Sequence, residues 1–195
     1  MNEMKEIPKI YENRLRKTEL LKDVLRERDK APMFTLPNSY GEQIHIEEIL
    51  SDGRLVLTFY GAGWYRYCCL ELLAWQNLHQ QLEKYNSRLV AVCPEPLDLT
   101  LASVWSRNLT FEILIDGGNK VARQFGLVSR ISVPKARKLQ ESFCIDLISL
   151  NSNQDVELPM PATYIIDSNG TILAVFIEVN WRSNKDPKEI LRYLD

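Results

Sequence analysis

Histidine is scarce in this chain: His45 and His79 are the only two among 195 residues, and neither stands at zinc-ligand spacing from a cysteine pair. No metal centre is expected. Long apolar runs are missing too. Nothing approaches the roughly 18–20 apolar residues that a bilayer span requires. The N-terminal MNEMKEIPKIYENRLRK has no apolar stretch like the core of a secretory signal. Nor is there an excess of charge. The 24 Lys and Arg nearly balance 26 Asp and Glu, and a formal charge of -2 gives no bulk electrostatic reason to bind nucleic acid or an anionic membrane. A cytoplasmic globular protein without nucleic-acid or membrane partners is the expectation.

The residues present fit that class. A hydrophobic fraction of 45% and a charged fraction of 26% are ordinary for a soluble domain, and the length suits one domain better than two. Four cysteines stand out: Cys68, Cys69, Cys93 and Cys144. A reducing compartment argues against a disulfide framework, which leaves structural thiols, a redox site or metal ligands. Cys68 and Cys69 would pair only as a vicinal disulfide. Adjacent Cα atoms lie about 3.8 Å apart, below the usual disulfide range of roughly 4.4–6.8 Å, so two free thiols are expected. Cys93 and Cys144 read as structural, with Cys144 a more remote candidate resolving thiol.

Residues 1–30 read as a charged helical extension, with Leu15, Leu20, Leu21, Val24 and Leu25 as a sparse apolar stripe over Tyr11 to Asp29. It would lie on the domain or on a homodimer partner. Residues 31–195 read as the compact domain. A hairpin spans Met33 to Ile46, followed by one helical turn over Glu47 to Leu50. Arg54 to Tyr60 is a central strand, because its apolar run is continuous rather than alternating. Trp64 to about Asn86 is predicted as one long helix with Leu72, Trp75, Leu78 and Leu82 on its buried face. A strand over Arg88 to Cys93, a helix over Leu97 to Asn108 and a strand over Phe111 to Ile115 follow. Next comes a short helix over Lys120 to Phe125, capped by Asn119 and ended by Gly126. Residues 127–157 read as an insertion with a helix within Pro134 to Phe143. Ala162 to Ile166 and Gly170 to Glu178 pair around a turn, and Asp186-Pro187 opens a closing helix. Alternating strands and helices predict an α/β layering around a mixed sheet with helices on both faces.

Four segments, in order over about residues 30–180, resemble the AhpC/TSA branch of the thioredoxin fold, the peroxiredoxin-like proteins. They are KAPMFTLP at Lys30 to Pro37, FYGAGWYRYCCLEL at Phe59 to Leu72, DGGNKVARQFGL at Asp116 to Leu127, and LPMPATYIID at Leu158 to Asp167. The second is similar to the family's F-Y-R-G-G-W-C-P-Y-C-x-L-E-L form. This resemblance implies a thioredoxin-like fold and reduction of hydrogen peroxide or organic hydroperoxides. A thiolate becomes a sulfenic acid, and a thiol donor such as thioredoxin or glutathione restores it, with no cofactor.

The resemblance also places the roles. The peroxidatic cysteine would stand at position 65 and the resolving one at 68, but Tyr65 occupies the first and Arg66 replaces the usual proline. A phenol cannot become a sulfenic acid, so the two-thiol C-x-x-C cycle is not available. Cys68 is then the candidate nucleophile, helped by Arg66, with Cys69 as the alternative; the competing readings are a buried inert thiol and a scaffold kept only as a binding or sensing module. Trp64, Tyr65, Arg66 and Pro161 are the expected substrate- or partner-facing residues. By the same resemblance the Met160–Pro161 bond would be cis. The Asn108-Leu109-Thr110 sequon reads as chance in a cytoplasmic protein.

Overall fold

The computed structural model describes residues 21–61, 63, 66–131, 134, 136–137, 141, 156–177 and 187–194. The expected hairpin forms from β1 (Thr35–Pro37) and β2 (Gln43–His45), with Leu36 opposite Ile44. Its turn is closed by Asn38, whose side-chain oxygen accepts from the Tyr40 and Glu42 amides at 2.9 and 3.0 Å. Gly41 takes the left-handed conformation the turn needs, at φ 84°. Helix α1 (Ile46–Asp52) follows, then β3 (Arg54–Phe59).

The predicted long helix is broken. Helix α2 covers Arg66–Gln76, α3 covers His79–Leu82, and a single tight turn runs over Glu83–Tyr85. At the break the Leu78 amide donates to Trp75 O at 2.9 Å, three residues back, and the His79 ring takes Gln76 O at 2.9 Å. A side chain thus replaces a rung of the helical ladder. The stripe survives the break, since Leu72, Trp75, Leu78 and Leu82 are all buried.

Strand β4 (Ser87–Cys93), helix α4 (Leu97–Arg107), strand β5 (Glu112–Ile115) and helix α5 (Lys120–Gln124) match the expected order. Gly126 ends α5 as predicted, at φ 72°. A Cβ there would lie 2.0 Å from Asp23 O, so the position admits only glycine. The expected Asn119 cap is corrected. Asn119 sends its amide to Glu157 O, and the Asp116 carboxylate instead accepts from the Val121 and Ala122 amides at 3.0 and 2.8 Å.

Strands β6 (Val128–Ile131) and β7 (Val156–Pro159) form an antiparallel pair where only an insertion was expected. The described residues between Pro134 and Glu141 are helical, as predicted. Strands β8 (Ala162–Ile166) and β9 (Ile172–Ile177) and helix α6 (Pro187–Leu191) complete the fold.

The central sheet has the order β5-β4-β3-β8-β9, with β3, β4 and β5 parallel and β3, β8 and β9 antiparallel. It is the mixed sheet flanked by helices that the sequence predicted. Phe59 pairs with Val92 on one side and Ala162 on the other, so the ends of β3 and β4 and the start of β8 share one end of the sheet.

Two further expectations are corrected. Residues 21–29 form turns rather than a helix, while 11–20 lie outside the described residues. The segment is held by tertiary bonds, Leu25 N to Phe125 O and Arg28 N to Ile172 O, and Val24 enters the core. The Met160–Pro161 bond is trans. β7 runs almost directly into β8, Met160 N donates to Leu127 O at 2.7 Å, and an extended link serves that path. The trans form is also the ordinary preference of an X–Pro bond.

Candidate active site

The loop after β3 carries the chain from the sheet end into α2. Its described residues Gly61 and Gly63 are buried, and Gly63 is held at both ends of its peptide groups. Its amide donates to Glu95 Oε2 at 2.8 Å. Its carbonyl accepts from Cys69 Sγ at 2.9 Å and from Arg107 Nη2 at 3.2 Å. Glu95 is only 3% exposed and sits in Pro94-Glu95-Pro96 just past β4. The prolines on either side limit the backbone and fix where the carboxylate points.

Cys68 and Cys69 are the third and fourth residues of α2, within the turn whose amides have no helical acceptor. Helical side chains lean toward the N-terminus, which is why the Cys69 sulfur reaches back to Gly63. Cys69 is half-buried and accepts a hydrogen bond from Arg107 Nη2 at 2.9 Å. Cys68 is 0% exposed and belongs to the core with Leu72 and Trp75. Both are free thiols, as is Cys93.

Beneath the helix, Thr58 on β3 donates to Glu71 Oε1 at 3.4 Å and meets Thr163 of β8 at 3.0 Å. With the Thr58 proton on Glu71, Thr163 supplies the proton between the two hydroxyls. This polar chain ties α2 to two strands. Beside it, burial pushes the Cys93 thiol up to about 12, and the Glu95 carboxylate adds to the effect. Burial likewise raises the Tyr60 phenol well above its ordinary value, with Cys93 the next cause. Cys93 is therefore a protonated structural thiol, as the sequence suggested.

Of the sequence-predicted residues, the structure brings Cys68, Cys69 and Pro161 to this end of the sheet. Pro161 is buried and directly precedes Ala162, the partner of Phe59. Trp64, Tyr65 and Cys144 lie outside the described residues, as does the side chain of Arg66, whose backbone opens α2. Arg107 and Glu95 were missed. A carboxylate between two prolines after a buried strand was a readable signal. Arg107 gave none, because 38 residues separate it from Cys69. Among the described residues no three His, Cys, Asp or Glu side chains gather as a metal site.

Comparison with known proteins agrees with this geometry. Residues 28–175 match the AhpC/TSA family. A putative peroxiredoxin, bcp, of Coxiella burnetii is 26% identical over 150 residues, covering 77% of this chain and 87% of that protein. Chloroplastic peroxiredoxin Q of Gentiana triflora is 22% identical over 163 residues, covering 84% of this chain and 64% of that protein. Among solved structures, peroxidoxin BcpB of Mycobacterium tuberculosis superposes with a TM-score of 0.69 at 21% identity, over 87% of this chain and 96% of that one. A yeast mitochondrial 1-Cys peroxiredoxin gives a TM-score of 0.68 at 20% identity, over 88% and 76%. With thioredoxin-fold layering, a thiol pair on the helix after β3 and a family match over most of its length, the chain belongs to the AhpC/TSA family.

Proposed function

We propose that this protein is a peroxiredoxin-like thiol peroxidase that reduces hydrogen peroxide or organic hydroperoxides through a thiol of the Cys68–Cys69 pair. The observation that carries the reading is the placement of that pair. It sits on the first turn of α2, at the shared end of β3, β4 and β8, with a guanidinium on one sulfur. A thiol there lies at the positive end of the helix, which favours an anion.

The thiolate attacks one peroxide oxygen, the O–O bond breaks, and the sulfur becomes a sulfenic acid. With Tyr65 at the other motif position, return to the thiol calls for an external donor, thioredoxin or glutathione, and no cofactor enters the cycle. The neighbouring yeast protein is a 1-Cys peroxiredoxin described with glutathione and thioredoxin systems, which supports a single-thiol reading. Trp64, Tyr65, Arg66 and Pro161 would face the substrate or the donor. The cytoplasm as compartment and a homodimer as form belong to the same proposal; fractionation and a sedimentation profile test them.

The test of the activity is peroxide consumption by the purified full chain with each donor. Turnover is expected, and it disappears when both cysteines are replaced by alanine. No consumption with either donor, together with no sulfenic acid at stoichiometric peroxide, overturns the reading.

A further inference from the structure

The two thiols of the pair are not equivalent. Cys68 has a relative exposure of 0% and lies among core side chains, where a peroxide has no approach to the sulfur. Cys69 is half-buried, and Arg107 at the end of α4 reaches it from the neighbouring helix. One guanidinium nitrogen, Nη2, serves two acceptors, the Cys69 sulfur at 2.9 Å and Gly63 O at 3.2 Å. That nitrogen carries two protons, one for each.

The consequence lies in what happens when Cys69 ionises. In the thiol form the S–H donates to Gly63 O. Once the proton leaves, that carbonyl would face a bare sulfur anion and lose a donor inside a half-buried loop. The second Arg107 proton keeps the carbonyl satisfied while the first meets the thiolate, a charge-assisted contact stronger than a neutral one. Gly63 cannot swing away, because buried Glu95 holds its amide at 2.8 Å. An arginine that only braced the loop would need the Gly63 contact alone.

Resting on the peroxidase reading above, we propose that Cys69 rather than Cys68 is the attacking thiol, and that Arg107 is the cation that holds its thiolate. Cys69 releases its proton to solvent, and the thiolate attacks the distal oxygen of ROOH. The S–O bond forms as the O–O bond breaks, and the leaving alkoxide takes a proton from water as ROH. Sulfur loses two electrons and the peroxide gains them. The sulfenic O–H then stands where the S–H stood, facing Gly63 O. An external thiol displaces water to form a mixed disulfide with Cys69, and a second releases Cys69 as the thiol together with the donor disulfide.

The test uses the reduced full chain, stoichiometric hydrogen peroxide and a dimedone-type trap, with tandem mass spectrometry resolving the two adjacent residues. The adduct is expected on Cys69, and Cys69→Ser loses it. Arg107→Gln slows its formation on the order of 10- to 100-fold. Arg107→Lys recovers part of that rate, with unchanged thermal midpoints in both variants. A brace would give no recovery by charge, so equal rates for the Gln and Lys variants overturn the role of Arg107, as does a Gln variant as fast as wild type. An adduct on Cys68 with peroxide still consumed overturns the choice of thiol while leaving the peroxidase reading intact. No adduct on either thiol, with no peroxide consumed, overturns both.

Discussion

Adjacent residues on α2 meet opposite surroundings. Cys68 turns inward with Leu72 and Trp75, at 0%, 1% and 0% exposure, while Cys69 lies on the flank toward α4. That flank is polar again two turns on. Seven residues on from Cys69, Gln76 exchanges hydrogen bonds with Thr110, at 2.8 and 3.0 Å, just past the end of α4. One residue step on a helix is a rotation of about 100°. That rotation is enough to carry a sulfur from apolar core to a guanidinium. Residue type therefore does not decide which thiol is exposed; helical phase does.

The comparison breaks most visibly on the inward face. Trp75→Ala removes the largest fully buried side chain among the described residues, and a cost of about 3–5 kcal/mol is expected in urea denaturation. A cost below about 1 kcal/mol would mean that α2 is not anchored by this face.

Cys93 sharpens the contrast, being a third thiol that is buried at 1% exposure, with Thr100 Oγ1 3.7 Å from its sulfur. Its folded value is raised from 9.0 to about 12, chiefly by burial. Between those values the unfolded chain gives up a proton that the folded chain keeps, so stability falls as pH rises. Each such group contributes about 1.4 kcal/mol per pH unit. Tyr60 and Tyr164, also raised mainly by burial, act in the same direction at higher pH. Denaturation at pH 8, 9 and 10 should show the decline beginning near 9 in the wild type and later in Cys93→Ala. Parallel declines would show that Cys93 does not contribute.

The two neighbouring cysteines provide the most direct comparison. Cys68→Ala leaves a small core void and should cost about 1–2 kcal/mol. Cys69→Ala removes hydrogen bonds that Arg107 partly replaces at Gly63, and should cost under about 1 kcal/mol. Paired denaturation curves check the order, and a larger loss at Cys69 would reverse the assignment of faces.

Much of this was legible in the sequence where the signal is local. The run Leu55 to Phe59 is continuous because β3 lies between β4 and β8 and its residues are covered on both faces, so burial wrote the strand into composition. The spacing of Leu72, Trp75, Leu78 and Leu82 gave the buried face even though the helix breaks at Gln76. What was not legible depends on distant partners. Val128–Ile131 and Val156–Pro159 are four-residue strands with a long segment between them, too short to show a period. The docking of residues 21–30 rests on bonds to Phe125 and Ile172, which no helical stripe encodes. The thiol pair itself was found by motif. Its asymmetry was not, because the guanidinium on the Cys69 sulfur arrives from the far end of α4.

The smallest effect belongs to the most exposed side of α2. Leu70 is 53% exposed and Leu73 38%, so apolar side chains here face solvent on the helix that carries the site. Leu70 lies one step beyond Cys69, rotated past the Arg107 flank, and buries too little surface for its removal to open a void. Leu70→Ser trades exposed apolar area for a hydroxyl that water satisfies, at a helix-propensity cost of a few tenths of a kcal/mol. The net change in the monomer should stay within about 0.5 kcal/mol in urea denaturation. A concentration-dependent loss beyond that would show Leu70 buried against a second copy in solution. The face would then be an interface, and α2 would have no side given over to solvent.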